Sequence, residues 1–296
     1  MVNIGDDVMT MRLMLRRWRW WACFALGLTL QTAGAAERCQ ILDNLYEPIY
    51  RINTGLMPSS RVQGHGKTTI MELDADWEMG FIRNVFRGEM DIHARIRNSL
   101  FIGSAEIGLP SQTTSLALDA GWTLRYGQGQ ALQVRAMPGL YGDLNALDSR
   151  GFYVPFSLAL IQAFHPDLSG VAGLEVRPGF DRTLMPIVGL KWEPFNWLGI
   201  EPRLPRSRIT WFATPEWSAY AAFEWRNLSY ALSDARRMIT LQDFRTYGGL
   251  AHRLSDRMEL SLEVGRALGR EVKFRRGERY DVASVVFARV GVGGPF

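Results

Sequence analysis

Residues 71–81 read Met71-Glu72-Leu73-Asp74-Ala75-Asp76-Trp77-Glu78-Met79-Gly80-Phe81. Every odd position is apolar, and the even positions from 72 to 78 are carboxylates. Side chains alternate across an extended chain, so a period of two predicts a strand with two unlike faces. A tilted strand of about 9–11 residues also suffices to cross a bilayer. A row of acids on one face suits a wet interior. The stretch sets the expectation of an all-β fold, a closed antiparallel transmembrane β-barrel that follows a cleaved signal peptide.

Other segments repeat the pattern. In Glu89–Ile102, Met90, Ile92, Ala94 and Ile96 oppose Glu89, Asp91, His93, Arg95 and Arg97. Thr114–Tyr126 carries Leu116, Leu118, Ala120, Trp122, Leu124 and Tyr126 on one face. Arg257–Gly265 sets Met258, Leu260, Leu262 and Val264 against Glu259, Ser261 and Glu263. With less regular segments between them and a last one from Asp281 to Phe296, the count comes to about twelve or thirteen. Closed bacterial barrels normally take an even number, so about 12 strands are expected, within a range of 10–14. A helical period is hard to find past residue 50.

The first hairpin brings acids against bases. A turn near Asn84–Val85 allows two registers. One places Asp76, Asp74 and Glu72 opposite His93, Arg95 and Arg97. The other places Glu78, Asp76 and Asp74 opposite the same three residues. Opposite charges facing across strands contribute about 0.2–1 kcal/mol each. Glu72, Asp74, Asp76, Glu78, His93, Arg95 and Arg97 are therefore expected to form a lumen-facing charge ladder, with Trp77 and Phe81 turned to lipid.

The N-terminus reads as an export signal. Arg12, Arg16, Arg17 and Arg19 precede the apolar run Trp20–Leu30, and small residues lead to a cut after Ala35. The run is too short to span a bilayer as a helix. Translation starting at Met11 or Met14 would suit the signal better, because Asp6 and Asp7 are out of place in its basic region. Removal of 1–35 takes the formal charge from +4 to +2 and leaves Cys39 as the one cysteine, so no internal disulfide forms. Residues 36–66 lack a clear period and are expected to form a periplasmic extension or small plug, with the barrel over 67–296.

The balance of Arg and acid excludes a nucleic-acid partner on pattern, because the charges are interspersed and form no stripe or tail. Of the 34 basic residues only Lys67, Lys191 and Lys273 are lysines. The chain ends on Phe296, with Val292 and Val290 on the same face of an alternating strand. That ending resembles the C-terminal assembly signal of bacterial outer-membrane barrels and implies lipid and the barrel-assembly machinery as partners.

Catalytic motifs are weak. Gly64-His65-Gly66-Lys67-Thr68 contains GKT, but Arg61 stands where a phosphate loop needs its first glycine. There is no GxSxG elbow, and the four histidines lack paired metal spacing. His252 with Ser255, and His93 with Ser99, are the pairs that an outer-membrane lipid hydrolase would require. No catalytic, cofactor or metal residue is assigned.

Met185-Pro186-Ile187-Val188-Gly189-Leu190-Lys191-Trp192-Glu193-Pro194-Phe195 is followed by Pro202-Arg203-Leu204-Pro205-Arg206. Together with Arg245-Thr246-Tyr247-Gly248-Gly249-Leu250 and Leu260–Gly265, this resembles an uncharacterised family of bacterial outer-membrane β-barrels, a domain of unknown function. The resemblance covers about the last 110 residues and implies fold and location only. The expected function is a passive pore or channel for small polar solutes. The alternatives are an outer-membrane lipid-modifying enzyme and a structural or surface-interaction barrel without transport.

Overall fold

The computed structural model describes residues 50–103, 107–127, 129–233, 238–275 and 277–294. The expected signal peptide, residues 36–49 and Phe296 lie outside them. Among the described residues, alternation becomes fourteen wall strands in one antiparallel ring. They are β1 (Tyr50–Arg61), β2 (Lys67–Val85), β3 (Gly88–Ile102), β4 (Gln112–Tyr126), β5 (Gln130–Ala136 with Gly139–Gly142), β6 (Phe152–Tyr153 with Phe156–His165) and β7 (Leu168–Val176). The ring continues with β8 (Leu184–Phe195), β9 (Leu198–Glu201 with Arg203–Leu204), β10 (Arg206–Phe212), β11 (Trp217–Ala231), β12 (Met238–Ser255), β13 (Met258–Phe274) and β14 (Arg279–Val282 with Val285–Gly294). Each strand pairs with its sequence neighbours, and β1 closes the ring on β14 from Tyr50↔Gly294 to Leu56↔Ala288.

The ring holds fourteen strands, the upper end of the expected range of 10–14. One expectation is corrected: β1 pairs with β2 as well as β14, so residues 50–61 are barrel wall and not an extension or plug. Its outward row is Ile52, Thr54 and Leu56; the hydroxyl in the middle, with Gly55 and Pro58, breaks the apolar period that marks the other strands.

The outer surface identifies the solvent. Trp77 is 60 % and Val290 53 % exposed, and apolar rows of this kind circle the barrel, whereas Asp91, Asp119 and Arg245 are 2 %, 1 % and 2 % exposed. In a water-soluble protein, charges are almost never this buried and apolar patches rarely run so far. A barrel in lipid requires this inversion, because its outward residues meet hydrocarbon and its inward residues meet the lumen.

The two ends differ. Turns at 86–87, 166–167, 196–197, 213–216 and 256–257 connect strands at one end, where Tyr50 and Gly294 also lie. The first of these lies two residues beyond the expected turn and uses positive φ at Asn84, Phe86 and Arg87. The other end carries longer connections, including 143–151 and 177–183. Here the lumen is crossed. Ala231 of β11 pairs with Gly142 of β5, which stands six places away around the ring. Asp143 N donates to Ala231 O at 2.9 Å, and Ser233 N and Oγ donate to Asp143 Oδ2 at 3.0 and 2.9 Å. Tyr141, Phe180, Tyr230, Ile239, Val272 and Phe274 form the buried apolar mass at this tie.

β9 and β10 are short and meet at Pro205, so pairing stops at Val188↔Leu204 on one side and Arg206↔Glu224 on the other. The segment 177–183 occupies the resulting notch. Arg177 Nη1 donates to Asn227 O at 2.8 Å, Asp181 N donates to Ser229 Oγ at 3.1 Å, and the Arg182 guanidinium lies 5.0 Å over the Trp225 ring.

The outward assignment is testable at Leu262, which is exposed and sits between Leu250 and Val290 in register. Leu262→Arg should destabilise the vesicle-inserted barrel by up to about 2–4 kcal/mol, the penalty for Arg near the bilayer midplane. Equilibrium unfolding in urea measures it; a change within about 0.5 kcal/mol, as on a solvated surface, would contradict a lipid-facing row.

Candidate functional site: a charged lumen

The first hairpin adopts the second of its two registers, Glu78↔His93, Asp76↔Arg95 and Asp74↔Arg97. Residues paired directly across antiparallel strands share a face. Arg97 Nε donates to Asp74 Oδ1 at 2.7 Å, and Arg95 Nε lies 2.8 Å from Asp76 Oδ2. The other three ladder residues are arranged differently. His93 turns from the Glu78 opposite it to Asp76, with Nδ1 3.0 Å from Oδ1, and to Asp91, with Nε2 3.4 Å from Oδ2. Glu72 stands opposite Ser99, and its carboxylate leaves the hairpin altogether. A bulge between Glu78 and Gly80 inserts Met79, so Phe81 falls opposite Asp91 on the polar side. Trp77 remains outward; Phe81 does not, because the extra residue reverses the alternation.

The groups of β2–β5 close into a ring of contacts. Asp76 meets His93, His93 meets Asp91, and Arg135 Nη2 lies 2.7 Å from Asp91 Oδ2. Arg135 Nε reaches Asp119 Oδ1 at 3.0 Å, and Arg95 Nη2 returns from Asp119 Oδ2 at 3.0 Å to complete the circuit at Asp76. Three carboxylates, two guanidiniums and one imidazole thus stand in ion-pair contact on a single wall. A buried charge is tolerated only when paired and hydrogen-bonded. Gly121 makes room: a Cβ there would meet the Asp91 carboxylate and Arg135 Nη1.

A second cluster spans the lumen. Arg245 Nη1 and Nη2 donate to Glu72 at 2.6 and 2.8 Å, and Arg226 Nη1 donates to the same carboxylate at 2.9 Å. β2 is separated from β12 by β1, β14 and β13, so these bonds cross the interior and do not follow the wall. Asp243 Oδ2, 2.9 Å from Arg245 Nη2, balances the second cation. On the intervening strands β14 and β13, Arg289 Nε donates to Glu263, whose other oxygen accepts from Tyr220 OH at 2.7 Å.

Between this layer and the turn end lies a cavity of about 630 Å³. It reaches from Arg253, Asp256 and Gly294 at the turns, past Asp74, Arg97 and Arg226, to Tyr141 and Phe180 beneath the closure. Its lining includes nine arginines and seven carboxylates.

Neither hydrolase pair is assembled. Ser99 lies six residues from His93 along β3, about 20 Å at strand rise, and His93 is engaged by two carboxylates. His252 stacks on Trp217 at 4.2 Å, and Ser255 stands about 10 Å along the same strand. The GKT stretch runs from the β1–β2 connection into β2, with His65 edge-on to Tyr280.

Sequence reasoning missed Asp91, Asp119 and Arg135 as a unit, and Glu72 with Arg226 and Arg245. The first three stand on polar positions of alternating segments, a usable signal. The second group joins strands far apart in the chain, and no local pattern reports it.

Arg135 is the joint of the six-group circuit. Arg135→Gln leaves Asp91 and Asp119 under-compensated and should cost about 3–5 kcal/mol. Adding Asp119→Asn should recover part of that loss, read as a double-mutant cycle by urea unfolding in detergent.

No protein-family model and no curated protein sequence matches the chain. Among solved structures it is similar to the NanC porin at 9 % identity, covering 83 % of this chain and 100 % of that one, with a TM-score of 0.42. It is similar to an outer membrane channel from Pseudomonas putida F1 at 10 % identity, over 82 % and 93 % of the two chains, with a TM-score of 0.45. The KdgM porin matches at 10 % identity over 83 % and 99 %, with a TM-score of 0.36. The β-barrel architecture rests on the ring of strands itself.

Proposed function

We propose that the protein is an integral barrel of the bacterial outer membrane acting as a passive pore for small polar solutes. One observation carries the reading: the interior holds a charged cavity of about 630 Å³ inside a ring whose outer face is apolar. Charged groups lining a lumen orient polar solutes and set selectivity. Short turns at one end and longer loops at the other match the periplasmic and external ends of such barrels. In this reading residues 1–35 direct export and are removed, and the last strand, with Phe296, Val292 and Val290, docks on the assembly machinery. Glu72, Asp74, Asp76, Glu78, His93, Arg95 and Arg97 serve the lumen as charge-bearing wall groups, and no residue has a catalytic role.

The loop-end closure favours one rival, a barrel without transport. Its polar tie separates the two. Asp143→Ala removes the acceptor of Ser233 N and Oγ while leaving both wall strands intact. In planar bilayers the wild type should give discrete but infrequent conductance steps, and Asp143→Ala should raise the open fraction severalfold. Silence in both proteins, each shown folded by heat-dependent gel migration, would favour the rival.

A further inference from the structure

The far wall of the cavity carries a cation that the wall itself does not neutralise. Arg208 projects from β10 into the cavity, and its guanidinium carbon lies 3.7 Å from the centroid of the Tyr220 ring. Its Nε is buried without a hydrogen-bond partner. Among the described residues no carboxylate lies within ion-pair distance of it. Glu201, its partner in register, is exposed. Glu263, at the hydroxyl end of Tyr220, is already occupied on both oxygens by Tyr220 and Arg289. Arg206, two residues away on the same strand face, lines the same cavity.

The stack has a structural cause. Gly249 sits opposite Tyr220 in register, and a Cβ at that position would overlap the phenol ring. The absence of a side chain lets the ring lie flat over β12, and the flat ring holds the guanidinium above it. Stacking leaves the planar edge of a guanidinium free to donate two parallel hydrogen bonds, the geometry that matches a carboxylate.

We propose that Arg208, seated on Tyr220 and Gly249, is a binding station for small organic anions bearing a carboxylate. The proposal rests on the pore reading and names the solute class that the cavity selects. A cavity of about 630 Å³ falls in the range of small-molecule sites, about 300–1,000 Å³. Arg208 supplies the charge-assisted pair, and the opposite wall, neutralised within itself, adds no strong competing cation.

Equilibrium binding to the detergent-folded full chain tests it, with gluconate as probe and sorbitol as its uncharged counterpart. Gluconate should bind and sorbitol should not. Arg208→Gln should weaken gluconate about tenfold or more, as expected for loss of hydrogen bonds to a charged group. Gly249→Ala should also weaken it, by displacing Tyr220 without removing any charge. Heat-dependent gel migration verifies that each variant is folded. Inorganic phosphate is the second arm: competition weaker than that of gluconate supports a carboxylate station, and stronger competition overturns that class. Equal binding of sorbitol, no binding of gluconate to the wild type, or an unchanged affinity in Arg208→Gln overturns the proposal. Because binding is read without transport, a barrel that binds gluconate but never conducts sinks the pore reading alone.

Discussion

Hydrocarbon offers no hydrogen bonds, so a sheet immersed in it cannot keep a free edge. The pairing of β1 with β14 removes the last one. Seven residues of β1, Tyr50 to Leu56, take Gly294 to Ala288 as partners, and the chain becomes a closed surface with an inside. Closure also fixes parity. Once every strand has two neighbours, a slip of one residue would turn a row of carboxylates to lipid, so register is specified all the way round. The seam includes Gly55, Gly291, Gly293 and Gly294. A Cβ at Gly291 would strike the side chains of Asn53 and Ser261, which meet there from the two flanking strands.

An inside lined by charges is affordable only if the charges compensate one another. The wall from β2 to β5 does so locally, in the circuit that runs through Asp76, His93, Asp91, Arg135, Asp119 and Arg95. The Glu72–Arg226–Arg245 cluster does so across the lumen and braces two distant parts of the ring. These arrangements divide the interior into a stiff, neutral side and a side where Arg208 rests on an aromatic face instead of a carboxylate. The functional argument depends on that asymmetry: a group already neutralised by its neighbours has little to offer a solute, whereas a stacked guanidinium retains a free donor edge.

Much of this was legible in the sequence where the signal is local. The β2 alternation, the acid-against-base hairpin and the lipid-facing position of Trp77 follow from a period of two. The legibility ends where a single residue changes parity or where partners lie far apart. Met79 bulges and carries Phe81 to the other face. Thr54, Gly55 and Pro58 conceal β1 and so the first wall strand. Glu72 belongs by pattern to the ladder with Arg97, yet bonds across the barrel to Arg226 and Arg245. Nothing in the order of residues announces that Gly249 seats Tyr220.

The closure at the loop end and the shortness of β9 and β10 have a common cause. Because that hairpin stops at Pro205, the upper part of β11 loses a strand partner on one side, and its carbonyls need other donors. Arg177 serves Asn227 O, and Asp143 N serves Ala231 O. The segments that bring these donors also bring Phe180 and Tyr141 into the lumen. Replacing such bonds by bonds to lumenal water costs little, because the net contribution of a typical one is about 0.5–1.5 kcal/mol. Breaking the mid-lumen charge clusters costs about 3–5 kcal/mol per partner removed. Movement that opens the barrel therefore belongs to the loop-end tie and the notch segment, while the charged layer beneath holds its shape.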